Sequence, residues 1–307
     1  MDHAEEPGNT GRLIRLATTA AVVSACVLIV AKGGAFLVTN SVSVLASFAD
    51  SALDLLASVV SFMAVRHALV PADNQHRFGH GKAEPLSALA QGAFVAGSAV
   101  LLIAEAGSRF SSDAQVRSGE LGIAVTLFAI ILTLVLVTFQ RHVVRQTGSL
   151  AIDADSLHYS GDLLLNLSVI AALFFSTYTT LQWADPVIAA LIAVYLLYNA
   201  WRIAKSSINQ LMDHELNESD RSLIIEIAMK HPKVKGVHEL RTRSSGLNTF
   251  MQLHLVLDPE LSLIEAHRVS DQVEQALTRD FANADIIIHQ DPEGVEEYHP
   301  PVGAGLL

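Results

Sequence analysis

The chain has 307 residues, 51% hydrophobic and only 17% charged, with a mean hydropathy of +0.39. That is too apolar for an ordinary soluble protein and implies several membrane spans. The net charge of −11 is concentrated from Leu211 onward, where 8 Lys and Arg stand against 17 Asp and Glu, and such acidity excludes nucleic acid as a partner.

The N-terminal stretch MDHAEEPGNTGR is acidic and lacks the basic region and cleavage pattern of a signal peptide. It predicts a cytoplasmic tail over residues 1–12, with the first hydrophobic run retained as a span. Six apolar runs are each long enough to cross a bilayer, for which ~20 helical residues suffice. They are Leu13 to Thr39, Val42 to Leu69, Glu84 to Arg109, Gly119 to Val144, Asp155 to Tyr178 and Trp183 to Gln210. Only Asn40-Ser41 separates the first two, which predicts a tight helical hairpin. Cys26 is the sole cysteine, so the chain holds no internal disulfide and no multi-thiolate site. Lys and Arg cluster in alternate loops, which places both termini in the cytoplasm; the segment from Arg109 to Arg117 is the one that blurs the alternation.

A soluble domain over 211–292 follows the 13–210 transmembrane domain, and 293–307 reads as a flexible tail. Within the soluble domain, Ser219 to His231 reads as a helix with Ser219 as N-cap. Gly236 to Arg243 and Thr249 to Leu257 read as strands around the turn Ser244-Ser245-Gly246, Leu263 to Phe281 as an amphipathic helix, and Asp285 to His289 as a last strand. The predicted fold is thus an α-helical membrane protein of six spans plus an αββαβ domain, with helices on one face of a three-stranded sheet.

Ionisable groups inside spans are costly and face a bundle interior or a watered cavity. The second span carries Asp50 and Asp54, and the fifth carries His158 and Asp162, with Asn166 on the same face. Each pair is four residues apart, so each lies on one helix face one turn apart. Three carboxylates and an imidazole suit a borderline divalent metal such as zinc. The alternatives are a structural polar cluster or a metal-free proton relay. Lys32, Glu105 and Arg109 read as structural, Lys32 by extending outward to the interface.

The loop PADNQHRFGHGKAE spaces Asp73, His76 and His80 as metal ligands are spaced, or else is simply a hydrated basic loop. In the acidic domain, His238, His254, His267, His289 and Asp291 converge only if the sheet brings the strand ends together. His3, His67, His142, His214, His231 and His299 show no grouping and read as surface residues.

Taken together, DSALD, PADNQHRFGHGKAEPL, DSLHYSGD, GVHELRTRSSG and IIIHQDP resemble the cation diffusion facilitator family, nearly the whole chain long. The resemblance implies a homodimer in the bacterial inner membrane that exports cytoplasmic Zn²⁺, with Cd²⁺ or Fe²⁺ as alternatives, in exchange for protons. It implies a transport site at Asp50, Asp54, His158 and Asp162, and a loop site at Asp73, His76 and His80. It also implies a binuclear cytoplasmic site at His238, His254, His289 and Asp291, with His267 as a further ligand and metal that stabilises the dimer. Lys82 and Asp213 match a charge pair near the dimer interface, and Leu157 a hydrophobic gate. Strictly zinc-selective relatives often have His where Asp50 stands, so metal choice is left open here. Of two rival classes, a membrane metal sensor is separated from a transporter by measuring flux, and a metal-dependent hydrolase would need an open coordination position and a general base beside the metal, which four protein ligands do not leave. No G-x-x-x-x-G-K-[ST] stretch is present, so nucleotide is not an implied partner.

Overall fold

A computed structural model describes residues 7–40, 42–109, 120–178 and 184–295. Ser41, the loops at 110–119 and 179–183, His3, His299 and the side chains of Glu105 and Arg109, all invoked above, lie outside the described residues, as do residues 1–6 and 296–307 of the two predicted tails. The chain divides into two compact units, one built on the described residues up to Met212 together with Ser245–Leu247, the other on Asp213–Ser244 and the residues from Asn248.

The first unit is helical: α1 Pro7–Thr39, α2 Val42–Ala68, α3 Ala83–Arg109, α4 Glu120–Thr147, α5 Leu150–Tyr178 and α6 Ala184–Leu211. Among the described residues, stretches of α1, α2, α3, α4 and α6 are long and apolar enough to cross a membrane. α1 is described from Pro7, inside the predicted tail, and proline is tolerated in a first helical turn where its missing N–H costs nothing. Asn40 ends it in the left-handed region, at φ 46°, with its N–H on the Phe36 carbonyl at 2.8 Å. Gly148, at φ 66°, closes α4 in the same way.

One contact of this unit is rich in small residues. Ala88, Ala154, Ala193 and Ala200 are almost fully buried where α3, α5 and α6 meet, and a Cβ on Gly161 would stand 3.3 Å from Leu196. Small residues let helix backbones approach closely where no water drives association. Many large apolar groups also point outward: Leu37, Val30, Leu101 and Trp201 are all exposed. In water that surface would aggregate; against lipid it is the favoured arrangement.

The second unit contains α7 Glu218–Met229, β1 Gly236–Ser245, β2 Asn248–Leu257, α8 Leu263–Asp280 and β3 Ala284–Pro292. The sheet order is β1-β2-β3, and β2 pairs with β3 in parallel with His254 opposite His289. Strands β1 and β2 are joined by Gly246-Leu247 alone, with Gly246 at φ 61°, so the turn falls two residues later than predicted. Along β2 the buried residues alternate as Met251, Leu253, Leu255 and Leu257, and these pack on Ile224 and Ile227 of α7 and Val269, Val273 and Leu277 of α8. Both helices therefore cover one face, and period-2 geometry turns His254 to the other. The N-cap of α7 is Asn217, not Ser219: Asn217 Oδ1 accepts from the Asp220 N–H at 2.8 Å, and Ser219 itself donates to that oxygen at 2.6 Å.

A capping box starts α8. Ser262 accepts from the Glu265 N–H, and the Glu265 carboxylate accepts from the Ser262 N–H and hydroxyl. The same bonds, led by the Ser262 hydroxyl, hold the Glu265 carboxyl below its ordinary value of 4.5. A lowered folded value means this contribution is present above about pH 4.5 and is lost as pH falls through it. Ser262→Ala is expected to destabilise this unit by about 1 kcal/mol, read from its urea midpoint at neutral pH, with the deficit shrinking in acid.

Candidate metal centres

The first centre lies between α2 and α5. Asp54, His158 and Asp162 offer ligand atoms that all lie within 4.8 Å of one another. His158 Nε2 is 3.0 Å from Asp54 Oδ1 and 3.8 Å from Asp162 Oδ2, and His158 and Asp54 are both nearly buried. Asp162 Oδ2 is buried and makes no hydrogen bond. A buried carboxylate oxygen without a donor is costly unless a cation or proton meets it.

Asp50 stands apart from this group: it sits one turn earlier on α2 and is exposed. Asn166 donates its side-chain N–H to the Asp162 backbone carbonyl at 2.8 Å. Lys32 does not extend outward; it turns inward to α2, where it donates to Ser51 Oγ at 2.7 Å, because a half-buried ammonium needs an acceptor within the bundle. Leu157, next to His158, is buried in the apolar contact of α3, α5 and α6.

Sequence reasoning passed over a second polar group beneath this centre. Asp155 is fully buried on α5 and accepts from Gln140 on α4 at 2.5 Å and Gln91 on α3 at 3.4 Å. Ser58 on α2 and Tyr159 on α5 share a hydrogen bond of 2.7 Å. The signal was in DADSLHYSGD, where Asp155 precedes His158 by three and Tyr159 by four.

The second centre is the loop after α2. The Asp73 carboxylate accepts from the backbone N–H groups of His76 at 2.6 Å and Gln75 at 2.8 Å. Those two bonds hold its pKa below the usual range and fix its orientation. Its two oxygens face His76 Nδ1 at 3.3 Å and His80 Nε2 at 3.5 Å. Gly79, at φ 77°, lets the chain turn back so that His80 returns to Asp73.

The third centre is the face of the sheet that the helices leave open. Asp291 is buried and gathers three imidazoles: His238 Nε2 at 2.9 Å, His254 Nδ1 at 2.8 Å and His289 Nε2 at 3.0 Å. The pleat explains the convergence. His289 and Asp291 are two apart on β3, His254 faces His289 across the pair, and His238 arrives from β1 on the far side of β2. Glu239, missed in the sequence, has φ 48° and lies 3.8 Å from His254 Nε2. A non-glycine residue in the left-handed region inside a strand is strained, and here it re-aims the chain beside the site. His267 is not brought in. It is exposed on α8, in the helical layer, and pairs with Asp271 at 3.6 Å. Asp213, also at positive φ, pairs with Arg243 at 3.2 Å, and Lys82 donates to the Leu211 carbonyl at 3.2 Å.

The donors are imidazole and carboxylate at all three centres, the set that borderline divalent ions such as zinc prefer. The comparisons agree with that chemistry. Residues 18–212 match the cation efflux transmembrane domain, and residues 216–293 the cytoplasmic domain of cation efflux proteins. Cation-efflux pump FieF of Shewanella oneidensis is 47% identical over 283 residues, 92% of this chain and 95% of the relative. The FieF pumps of Serratia proteamaculans and Citrobacter koseri are 46% and 44% identical, each over 92% of this chain and 93% and 94% of their own.

Proposed function

This chain belongs to the cation efflux family, the cation diffusion facilitators, multi-pass membrane pumps for divalent cations and not enzymes, and from that premise we propose how its residues move the ion. The substrate is cytoplasmic Zn²⁺, with Cd²⁺ and Fe²⁺ as alternatives, exchanged for protons by alternating access across the bacterial inner membrane. Both termini face the cytoplasm. One observation carries the reading: Asp54, His158 and Asp162 converge between two long helices of the membrane unit.

Three protein ligands leave one position of a tetrahedral ion open. Asp50, one turn along α2, is the fourth ligand in the conformation that closes around the ion. Its present place outside the cluster fits a site caught without its full set. A ligand must be deprotonated to coordinate, so metal and protons compete for the same lone pairs. His158, with Nε2 facing both carboxylates, is the group that exchanges them. Leu157 is the apolar gate beside it. Binding at the sheet's open face stabilises a homodimer, and the charges of Lys82 and Asp213 act near the protomer contact. Asp73, His76 and His80 hold a third, static ion.

The test is flux in proteoliposomes, ion by ion, with an imposed pH gradient. Acidifying the outward face is expected to speed zinc export, and an ionophore that collapses the gradient to slow it. Flux indifferent to the gradient would sink the exchange mechanism, and no flux for any ion would favour a sensor.

A further inference from the structure

The loop centre has a fourth imidazole beside it. His67 occupies the last turn of α2, and its ring lies 4.5 Å from that of His80, centroid to centroid, at an interplanar angle of 65°. His76 lies on another side of His80, also at 4.5 Å. His80 is thus flanked by two imidazoles while its Nε2 faces the Asp73 carboxylate.

The local backbone produces this arrangement. At the end of α2 the Leu69 N–H bonds to the Val65 carbonyl at 3.1 Å and the Val70 N–H to the His67 carbonyl at 3.0 Å. That tight turn aims the Val70 carbonyl at His80 Nδ1, 3.4 Å away. A carbonyl only accepts, so Nδ1 carries the ring proton and Nε2 keeps its lone pair for a metal. His80 is buried and oriented; His67 is exposed, at the end of a helix. Rotation about χ2 of an imidazole is soft, so His67 is free to turn a nitrogen toward the point that the other three share.

We propose that His67 is the fourth protein ligand of the loop metal, completing a set of one carboxylate and three imidazoles; this rests on the loop reading given above. The chemistry favours it. Three protein ligands plus water describe an open site, whereas four describe a closed structural one. A closed site ties the end of α2 to the loop entering α3 and leaves no exchange position. The loop ion then braces the helix that carries Asp50 and Asp54 and does not relay substrate.

Zinc competition against a chromogenic chelator tests this in the full chain in detergent micelles. Asp54→Ala with His158→Ala, and Asp291→Ala with His238→Ala and His254→Ala, in the background silence the other two centres. One zinc per chain is expected, and His67→Gln should weaken it at least about tenfold, the lower range for disturbing a metal's supporting groups. With Co²⁺ as probe, the intense visible band of a tetrahedral site should fall in the same variant. If His76→Gln loses the metal while His67→Gln binds within twofold of the background with an unchanged cobalt spectrum, the fourth-ligand role is overturned and the loop site stands. If the metal stays in both variants, the loop site is overturned too.

Discussion

Zinc flux through the Asp54→Ala variant in proteoliposomes is expected to fall at least about 100-fold, beyond the ~10–100-fold that losing a mere supporting group costs a metal site. The reason is local. Asp54 Oδ1 is the nearest acceptor to His158 Nε2, at 3.0 Å, and the third member of the cluster, Asp162, stands farther off at 3.8 Å. Without Asp54 the ion meets one imidazole and one carboxylate, half of a tetrahedral set. Asp54→Asn separates charge from volume: it keeps the shape of α2 and a neutral oxygen, so transport lost there too points to coordination and not to packing. Asp50→Ala should cost less, about tenfold, since Asp50 lies outside the three-residue cluster and, on the proposed mechanism, joins it only when the site closes. Equal losses at the two positions would place both acids in the resting site, and parental flux with Asp54→Ala would remove the assignment.

The helical half was legible because its signals are local. Hydropathy over ~20 residues finds spans, and the i, i+4 spacing of His158 and Asp162 states their shared face before any fold is known. Helix ends were less so. Pro7 extends α1 into the predicted tail, and Asn217 displaces Ser219 as cap because its oxygen reaches the Asp220 N–H first. What sequence could not supply was distance between elements. Asp155 reads as one more acid until Gln91 and Gln140 arrive from two other helices to bond it. His254 and His289 are 35 positions apart and meet only through the parallel register of β2 and β3. His267 looked equivalent to them by residue type, yet within one chain it stands exposed on the helix behind the sheet and pairs with Asp271. Glu239 was invisible because its role depends on a backbone angle that no composition encodes.

On the proposed zinc-stabilised homodimer, Asp291→Ala should abolish the response to zinc. Each soluble unit carries 8 basic against 17 acidic residues from Leu211 onward, so two copies repel at neutral pH. Divalent ions bound on the open face reduce that charge and favour the paired state. At zinc 100-fold above its Kd, each ion held only by the folded, paired form contributes about 2.7 kcal/mol, a shift of about 100-fold in the dimer constant per ion. Asp291 is where that linkage is most exposed to mutation, because one buried carboxylate receives His238, His254 and His289 together. Removing it leaves three imidazoles without their common anion. Zinc should then tighten the dimer less than about threefold, measured by mass photometry across protein concentration with zinc or with chelator. His267→Ala should keep most of the response, since His267 is exposed and pairs with Asp271 instead. A zinc-independent dimer in the parental chain would overturn the linkage itself, whereas a full response in Asp291→Ala would move the responsible ion to another centre.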